Sequence, residues 1–321
     1  MVSKECIEAQ LNGTITREML ASEFGDYHNA MRRLGIEADG NITSPHQILI
    51  DWLNEIGIEF TVNDRQTIKP KELDIYIPAH KLAIEVNGLY WHSTTITDRR
   101  HIDKFNQCRL LDIKLLQFTD RDIIDRPELV KSMILSKLGK LPNKIMARKC
   151  RIVDIGSNDA QRLLEQWHYQ GRTTNAAKFL SLDYNNKIVA IIGYTIKDKE
   201  CRIERFACEL MTNVVGGYSK LEKFIIKQNT PERIITFSLG LISDGSVYAK
   251  NGYITPDYAT TPEWYVTDYK NLYNRQRFMK HKLPSLFGDG FDPDKTEREN
   301  ILLNGLRLYF GAGITKWIKR C

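Results

Sequence analysis

Long apolar runs are missing from this sequence. None approaches the ~20 residues that a membrane-spanning helix needs, so we expect no membrane partner. The first residues, MVSKECIEAQ, also lack the apolar core of a secretory signal. Internal repeats and low-complexity tracts are absent as well. These absences favour a globular protein of the cytoplasm.

Cysteine is sparse, and its positions follow no pattern. No two cysteines have CxxC spacing, which argues against a zinc site. In a cytoplasmic protein, scattered cysteines favour reduced thiols over a disulfide framework. The six cysteines are Cys6, Cys108, Cys150, Cys201, Cys208 and Cys321.

The excess of positive charge is mild, with a net charge of +6 over 321 residues. Such a balance permits nucleic-acid binding without establishing it. The charge is uneven, because residues 137–151 (KLGKLPNKIMARKCR) contain several basic residues and no acidic one. This run suits a polyanionic substrate, and a solvated linker explains it equally well. The length allows two domains, or one domain and an appendage.

The stretch KELDIYIPAHKLAIEVNGLYWHS, residues 71–93, predicts a β-hairpin. Apolar residues alternate with polar ones on both sides of a turn that begins at Pro78, which is the pattern of paired strands. If Ile77 pairs with Leu82, Asp74 lies opposite Glu85, where side chains are ~5 Å apart. Two carboxylates so close repel each other, so we expect a divalent cation between them. The alternative is a pair of solvent-facing charges.

The order of predicted elements divides the chain into four parts. Residues 1–38 predict a small helical segment, either a plain appendage or a helix-turn-helix that carries Arg32 and Arg33. Residues 40–138 predict a mixed α/β core whose first helix is capped by Ser44 or Thr43. Residues 139–151 predict a basic linker, and residues 152–321 a second α/β domain for DNA targeting.

The hairpin resembles a known nuclease core. DIYIPAHKLAIEVNGLYWHS is similar to the matching stretch of very-short-patch-repair (Vsr-like) endonucleases and, more closely, of phage homing endonucleases of the PD-(D/E)xK superfamily. The resemblance covers residues 40–138. It implies a restriction-endonuclease-like core of helix, strand, β-hairpin, helix, strand and helix. It also implies a magnesium-dependent (or manganese-dependent) enzyme that hydrolyses double-stranded DNA at a specific site, in the infected bacterial cytoplasm if a phage encodes it.

The same resemblance assigns roles to individual residues. Asp74 would bridge the metal, and Glu85 would be the second metal ligand. Asn87 replaces the usual lysine or histidine, so His92 is the candidate general acid or base. Gln47 stands where such families often have a glutamate; it can position water but cannot be a base. His101, on the next helix, is expected at the surface.

The C-terminal half offers a second chemistry. Gly216 and Gly217, in VVGGYSK between a strand and a helix, can bind phosphate through backbone N–H groups, although a tight turn explains them too. VYAKNGYI, residues 247–254, resembles the tyrosine-containing helix of Gcn5-type N-acetyltransferases, which implies an acetyltransferase-like architecture. For a nuclease, acetyl-CoA is an unlikely cofactor. Two alternatives are a nucleic-acid-directed acyl or group transferase and a DNA-binding protein that has lost cleavage.

Basic residues interleave with aromatic ones in the C-terminal tail, as backbone contacts and base stacking require. A buried aromatic core is the alternative for many of these rings. Together with the basic run they make up the predicted DNA contacts. Besides Arg32 and Arg33, the predicted contacts are Lys144, Arg148, Lys149, Arg151, Arg275, Arg277 and Lys280.

Overall fold

The computed structural model describes residues 44–94, 96–173 and 175–321. The predicted helical segment 1–38, with Arg32 and Arg33, lies outside the described residues. The helices are α1 (Pro45–Glu55), α2 (Leu89–His92), α3 (Arg100–Leu110), α4 (Asp120–Asp125), α5 (Pro127–Leu138), α6 (Ser157–Trp167), α7 (Gly217–Asn229), α8 (Ser246–Lys250), α9 (Leu283–Phe287) and α10 (Glu297–Leu303). The strands are β1 (Thr61–Asp64), β2 (Leu73–Ile77), β3 (Leu82–Asn87), β4 (Ser93–Thr94), β5 (Lys114–Thr119), β6 (Asn143–Met146), β7 (Arg151–Asp154), β8 (Lys178–Tyr184), β9 (Lys187–Lys197), β10 (Glu200–Cys208), β11 (Thr212–Val215), β12 (Arg233–Leu239), β13 (Trp264–Thr267), β14 (Leu272–Asn274), β15 (Arg307–Phe310) and β16 (Ile314–Arg320).

A four-stranded sheet, in the order β1-β2-β3-β5, forms the N-terminal part. The predicted hairpin is confirmed, with Ile77 opposite Leu82. Helix α3 carries the chain from β3 to the parallel strand β5. Helix α1 begins where the sequence predicts, because the Ser44 hydroxyl accepts the Gln47 N–H at 3.1 Å. Leu49 and Leu53 of α1 pack with the buried side chains of β2, β3 and α5.

The second sheet has six strands, in the order β16-β12-β10-β9-β8-β7. All neighbours are antiparallel except β10 and β12. Helices cover both faces: Ile191 of β9 packs with Leu164 of α6, whereas the next residue, Ile192, packs with Leu221 of α7. Side chains of successive strand residues point to opposite faces, so α6 and α7 enclose the sheet.

The basic run does not form an unstructured connector. Strand β6 pairs in parallel with β11, and β7 is the edge strand of the six-stranded sheet. The buried side chains of Ala147 and Cys150, between these two strands, belong to the core of the second sheet. Apolar residues within the run therefore anchor it, while its basic residues after Lys137 remain exposed.

A third sheet joins the N-terminal and C-terminal parts of the chain. Its order is β14-β13-β15-β4, and β4 comes from the N-terminal part. Below it, Ile102 and Phe105 of α3 share a buried cluster with Ala259 and Ala312 from the C-terminal part. The mixed α/β class predicted from the sequence is confirmed. None of the helices in the described ranges has the length and apolarity that a membrane crossing needs.

Candidate functional site

Strands β10 and β12 lie side by side only at their beginnings. The ladder pairs Glu200 with Arg233 and ends where Arg202 pairs with Ile235. At this point the pairing of β10 with β9 shifts register, between Ile203 and Arg205. Such bulges bend a strand and increase its twist. Both strands continue beyond the ladder, so a cleft opens between two parallel strands in the middle of a sheet.

A cavity of about 700 Å³ occupies the wide end of this cleft. Its walls are the end of β10, strand β11, the first turn of α7, the end of β12 and helix α8, together with helix α5 and the residues that end and follow α6. Apolar and aromatic side chains dominate the walls, and backbone groups of the separated strands accompany them. The side chains that matter below are Phe206, Tyr218, Phe237, Leu239, Tyr248 and Lys250.

The glycine pair predicted to bind phosphate lies at this cavity. Gly216 precedes α7 with a φ of 77°, a conformation that favours glycine. A Cβ on Gly217 would lie 3.1 Å from Cγ1 of Val214, so the turn also packs tightly. No side chain from the described residues caps α7. The first N–H groups of this 13-residue helix therefore face the cavity wall without a side-chain acceptor, which is an arrangement that attracts anions.

Tyr248 lines the same cavity. It belongs to α8, and its hydroxyl is 3.5 Å from the carbonyl oxygen of Phe237. Burial raises the pKa of Tyr248, so its phenol keeps its proton at neutral pH and is available as a proton donor. The sequence segment VYAKNGYI contains Tyr248 but does not single it out; only the packing of α8 against β12 does so.

A second cavity, of about 720 Å³, continues from the first along the gap between β10 and β12. It is built from the middle of β10, the end of β12, the residues before and within β13, and the turn after β14. Both cavities share the residues at their junction. The shared residues are His168, Gln170, Phe206, Phe237, Ser238, Leu239 and Tyr248.

The two hairpin carboxylates, Asp74 and Glu85, lie beside each other. The Val86 N–H donates to Asp74 Oδ2 at 2.8 Å, and the Asp74 N–H donates to Glu85 Oε1 at 3.2 Å. Burial, followed by the negative charge of Asp74, raises the pKa of Glu85 to about 7. The positive charge beside them is the ammonium group of Lys104, which forms an ion pair with Glu85. Sequence reasoning missed Lys104, because nothing in α3 indicates which of its basic residues turns toward β3.

Asn87 and His92 belong to a buried chain of polar groups. His92 Nδ1 is 3.0 Å from His101 Nε2, and His101 Nδ1 is 2.9 Å from Gln117 Oε1. The Asn87 amide donates to the Tyr309 hydroxyl at 3.3 Å. The expectation that His101 lies at the surface is wrong, since only 5% of it is exposed. Burial lowers the pKa of His92 to about 3, so its imidazole is neutral at physiological pH.

The other predicted site residues lie apart from this chain. Gln47 is exposed on α1, and its amide donates to Asp51 at 2.7 Å; in the described ranges no contact joins it to Asp74 or Glu85. The predicted DNA contacts fall on two segments, the run from β6 to β7 and the turn after β14. Lys144, Arg148, Lys149 and Arg151 lie on the first, and Arg275, Arg277 and Lys280 on the second, all of them exposed.

No protein-family model matches the chain, and no curated protein does. Solved structures match parts of it. The ribosomal-protein-S18-alanine N-acetyltransferase from Escherichia coli matches 35% of this chain and 85% of that chain, at 15% identity and a TM-score of 0.29. The IAA acetyltransferase from Bacillus cereus matches 54% and 99%, at 10% identity and a TM-score of 0.32. The catalytic domain of the homing endonuclease I-Bth0305I matches 31% and 98%, at 19% identity and a TM-score of 0.25.

Two predictions are corrected by these comparisons. The predicted magnesium-dependent DNA endonuclease is wrong, because the matched structures are mostly acetyltransferases. The prediction that acetyl-CoA is unlikely is also wrong, since several of those structures contain coenzyme A. The predicted Mg²⁺ or Mn²⁺ gains no support from side chains either. In the part of the chain that the structure describes, no three His, Cys, Asp or Glu residues are grouped as metal ligands.

Proposed function

We propose that the protein is an acyl transferase and that an acyl-CoA binds in the cleft between β10 and β12. The observation that carries the proposal is the cleft itself: two parallel strands separate within a sheet and open onto the uncapped N-terminus of α7. Open strand edges offer N–H and C=O groups in a row. The helix terminus offers N–H groups for an anion at the far end of the same cavity.

The residues present fit a cofactor of this shape. Coenzyme A has a long amide-containing arm, which suits the backbone groups of separated strands, and a diphosphate, which suits the first turn of α7. Lys250, exposed at the cavity wall, adds a positive charge near that end. When bound, the cofactor supplies an acyl group activated as a thioester.

The chain's own contribution lies at the junction of the two cavities. Phe206 and Phe237 line it with apolar surface and keep water away. Tyr248, whose phenol is protonated at neutral pH, can donate that proton to a leaving sulfur atom. The second cavity reaches the same point from the other end and provides the path for an acceptor.

Calorimetric titration with acetyl-CoA tests the proposal. Gly217→Asp places a negative charge at the start of α7, and Gly217→Asn is its neutral control of matched size and equal crowding against Val214. We expect saturable binding by the parent and a loss of about tenfold or more in Gly217→Asp relative to Gly217→Asn, since charged contacts contribute ~1.5–3 kcal/mol. Absence of saturable binding by the parent, or equal affinities of the two variants, would overturn it.

A further inference from the structure

The second cavity is rich in arginine. Its lining contains four arginines and two glutamates, namely Arg202, Glu204, Arg205, Glu263, Arg275 and Arg298. Two of the arginines are neutralised by ion pairs. Arg202 Nε is 2.9 Å from Glu204 Oε1, and Arg275 Nη2 is 3.3 Å from Glu297 Oε2.

Arg205 and Arg298 have no ion pair with any described residue. One guanidinium N–H of Arg205 donates to the Glu204 carbonyl oxygen at 2.8 Å, while its Nε is buried without a hydrogen-bond partner among residues 44–94, 96–173 and 175–321. A buried donor left unsatisfied destabilises the fold. An acceptor that enters the cavity can remove part of this destabilisation.

Arg298 is held by neutral groups. It donates to the Thr97 hydroxyl at 3.2 Å, and its guanidinium carbon lies 5.1 Å from the centre of the Trp264 ring. Stacking on an aromatic ring fixes the plane of a guanidinium group while leaving its edge for hydrogen bonds. The positive charge of Arg298 is thus oriented but not neutralised.

The remaining acid of the cavity offsets these charges only in part. Burial raises the pKa of Glu263 to about 7, and its carboxylate accepts the Gly313 N–H. The cavity therefore keeps an excess of positive charge at Arg205 and Arg298, which line it together with aromatic side chains. Planar guanidinium groups that line one cavity can each donate to phosphate oxygens.

We propose that the second cavity binds the acceptor of the acyl group through a phosphate group, which Arg205 and Arg298 contact. That the bound molecule accepts an acyl group rests on the transferase function proposed above. The phosphate site does not depend on that function. The phosphate can belong to a free nucleotide or to a nucleic-acid chain. Arg275, Gln276 and Met279 line the cavity and belong to the exposed basic turn after β14, so a chain leaving the cavity would meet further positive charge.

Titration with adenosine 5′-monophosphate in the presence of saturating coenzyme A tests the site. We expect saturable binding by the parent protein and losses of about tenfold in Arg205→Gln and in Arg298→Gln. Arg162→Gln, an exposed arginine of α6, is the matched control and should bind as the parent does. If Arg205→Gln lowers the melting temperature, its loss of binding could reflect unfolding. The affinity of Arg298→Gln then decides the test, because the packing partners of Arg298 remain in place.

A second titration separates the two sources of phosphate. With a short single-stranded oligonucleotide, binding at least tenfold tighter than that of the mononucleotide, and weakened by Arg277→Gln, identifies a nucleic-acid acceptor. Equal affinities identify a free nucleotide. The proposal fails if neither ligand binds when coenzyme A is present, or if Arg205→Gln and Arg298→Gln bind both as the parent does. If coenzyme A binds but neither phosphate ligand does, only the phosphate site is rejected. If a phosphate ligand binds but coenzyme A does not, the transferase function is rejected and the phosphate site stands.

Discussion

His92 and His101 share one hydrogen bond, with 3.0 Å between Nδ1 of the first and Nε2 of the second. One ring must donate and the other must accept. His101 Nδ1 has two partners: the side-chain oxygen Oε1 of Gln117 at 2.9 Å, which accepts, and the Asn87 amide nitrogen at 3.2 Å, which donates. The shorter contact favours a proton on Nδ1, which leaves Nε2 as the acceptor. A proton added to His101 Nε2 would face the Nδ1–H of His92 unless the His92 proton moved to its other ring nitrogen.

The first prediction concerns acid stability. Burial lowers the pKa of His92 to about 3 and that of His101 to about 4, against ~6.5 when unfolded. Below pH ~6.5 the unfolded chain binds more protons than the folded one, so this stability is present above that pH and is lost as the pH falls toward the folded values. We expect the free energy of unfolding of the parent, measured by urea at pH 7, 6 and 5, to fall relative to that of His101→Gln, because the opposite contribution of Glu85 is common to both proteins. His281→Gln, an exposed histidine, should follow the parent.

The second prediction concerns the ion pair of Lys104 with Glu85. Burial and Asp74 raise the pKa of Glu85, so between its unfolded and folded pKa the folded state binds more protons, and stability falls as the pH rises through this window. Lys104→Met leaves the carboxylate without its partner, and the loss of stability should be about 3 kcal/mol or more at pH 8. It should be smaller at pH 5, where Glu85 is protonated.

Lys81→Met is the control for that experiment. Its ion pair with Asp112 is 3.2 Å long but exposed on both sides, and such pairs contribute ~0–1 kcal/mol. Unfolding curves of both variants at pH 5 and pH 8 make the comparison. An equal loss in Lys104→Met at both pH values would contradict the pairing.

The third prediction concerns the glycine that begins α8. Gly245 has a φ of 75°, and a Cβ there would lie 2.2 Å from Cζ2 of Trp317. We expect Gly245→Ala to lower the free energy of unfolding by several kcal/mol, because a backbone strain and a steric clash coincide. Gly252→Ala has a similar φ of 82° but nothing within 4 Å of its Cβ, so it should cost only ~1 kcal/mol. Thermal melts of the two variants and the parent measure the two losses of stability, and similar losses in Gly245→Ala and Gly252→Ala would contradict the prediction.

The fourth prediction concerns Tyr248. If its hydroxyl supplies a proton to the leaving sulfur, Tyr248→Phe should lower kcat for acyl transfer about a hundredfold while the affinity for acetyl-CoA stays within a factor of two. Tyr258→Phe, at a ring that is 36% exposed, is the matched control. A loss of acetyl-CoA affinity in place of kcat would give Tyr248 a packing role only.

Local features were predictable from the sequence. The hairpin register followed from two alternating segments and a turn, and the start of α1 followed from Ser44 and Pro45, because such signals act within a few residues. Gly216 and Gly217 were found for the same reason. Their neighbours in the chain already reveal the strand-to-helix turn.

Distant contacts were not predictable in this way. Tyr309 meets Asn87 across 222 residues of sequence, and no local pattern marks either as a partner of the other. The cleft was also hidden, since the separation of β10 from β12 depends on a register shift between neighbouring strands. The basic run was expected to be a linker because its charges dominate its composition, whereas a few apolar residues decide its pairing.

The pairing of β4 with β15 limits where the chain can be divided into separate fragments. Dividing the chain within residues 139–151 would separate β4 from its partner strand β15. It would also expose Ile102 and Phe105 of α3, which pack against Ala259 and Ala312. Each fragment would then present an open strand edge and an apolar patch to solvent, which are the features that promote aggregation. The chain is therefore best produced and studied as one piece, even where only one of its sites is of interest.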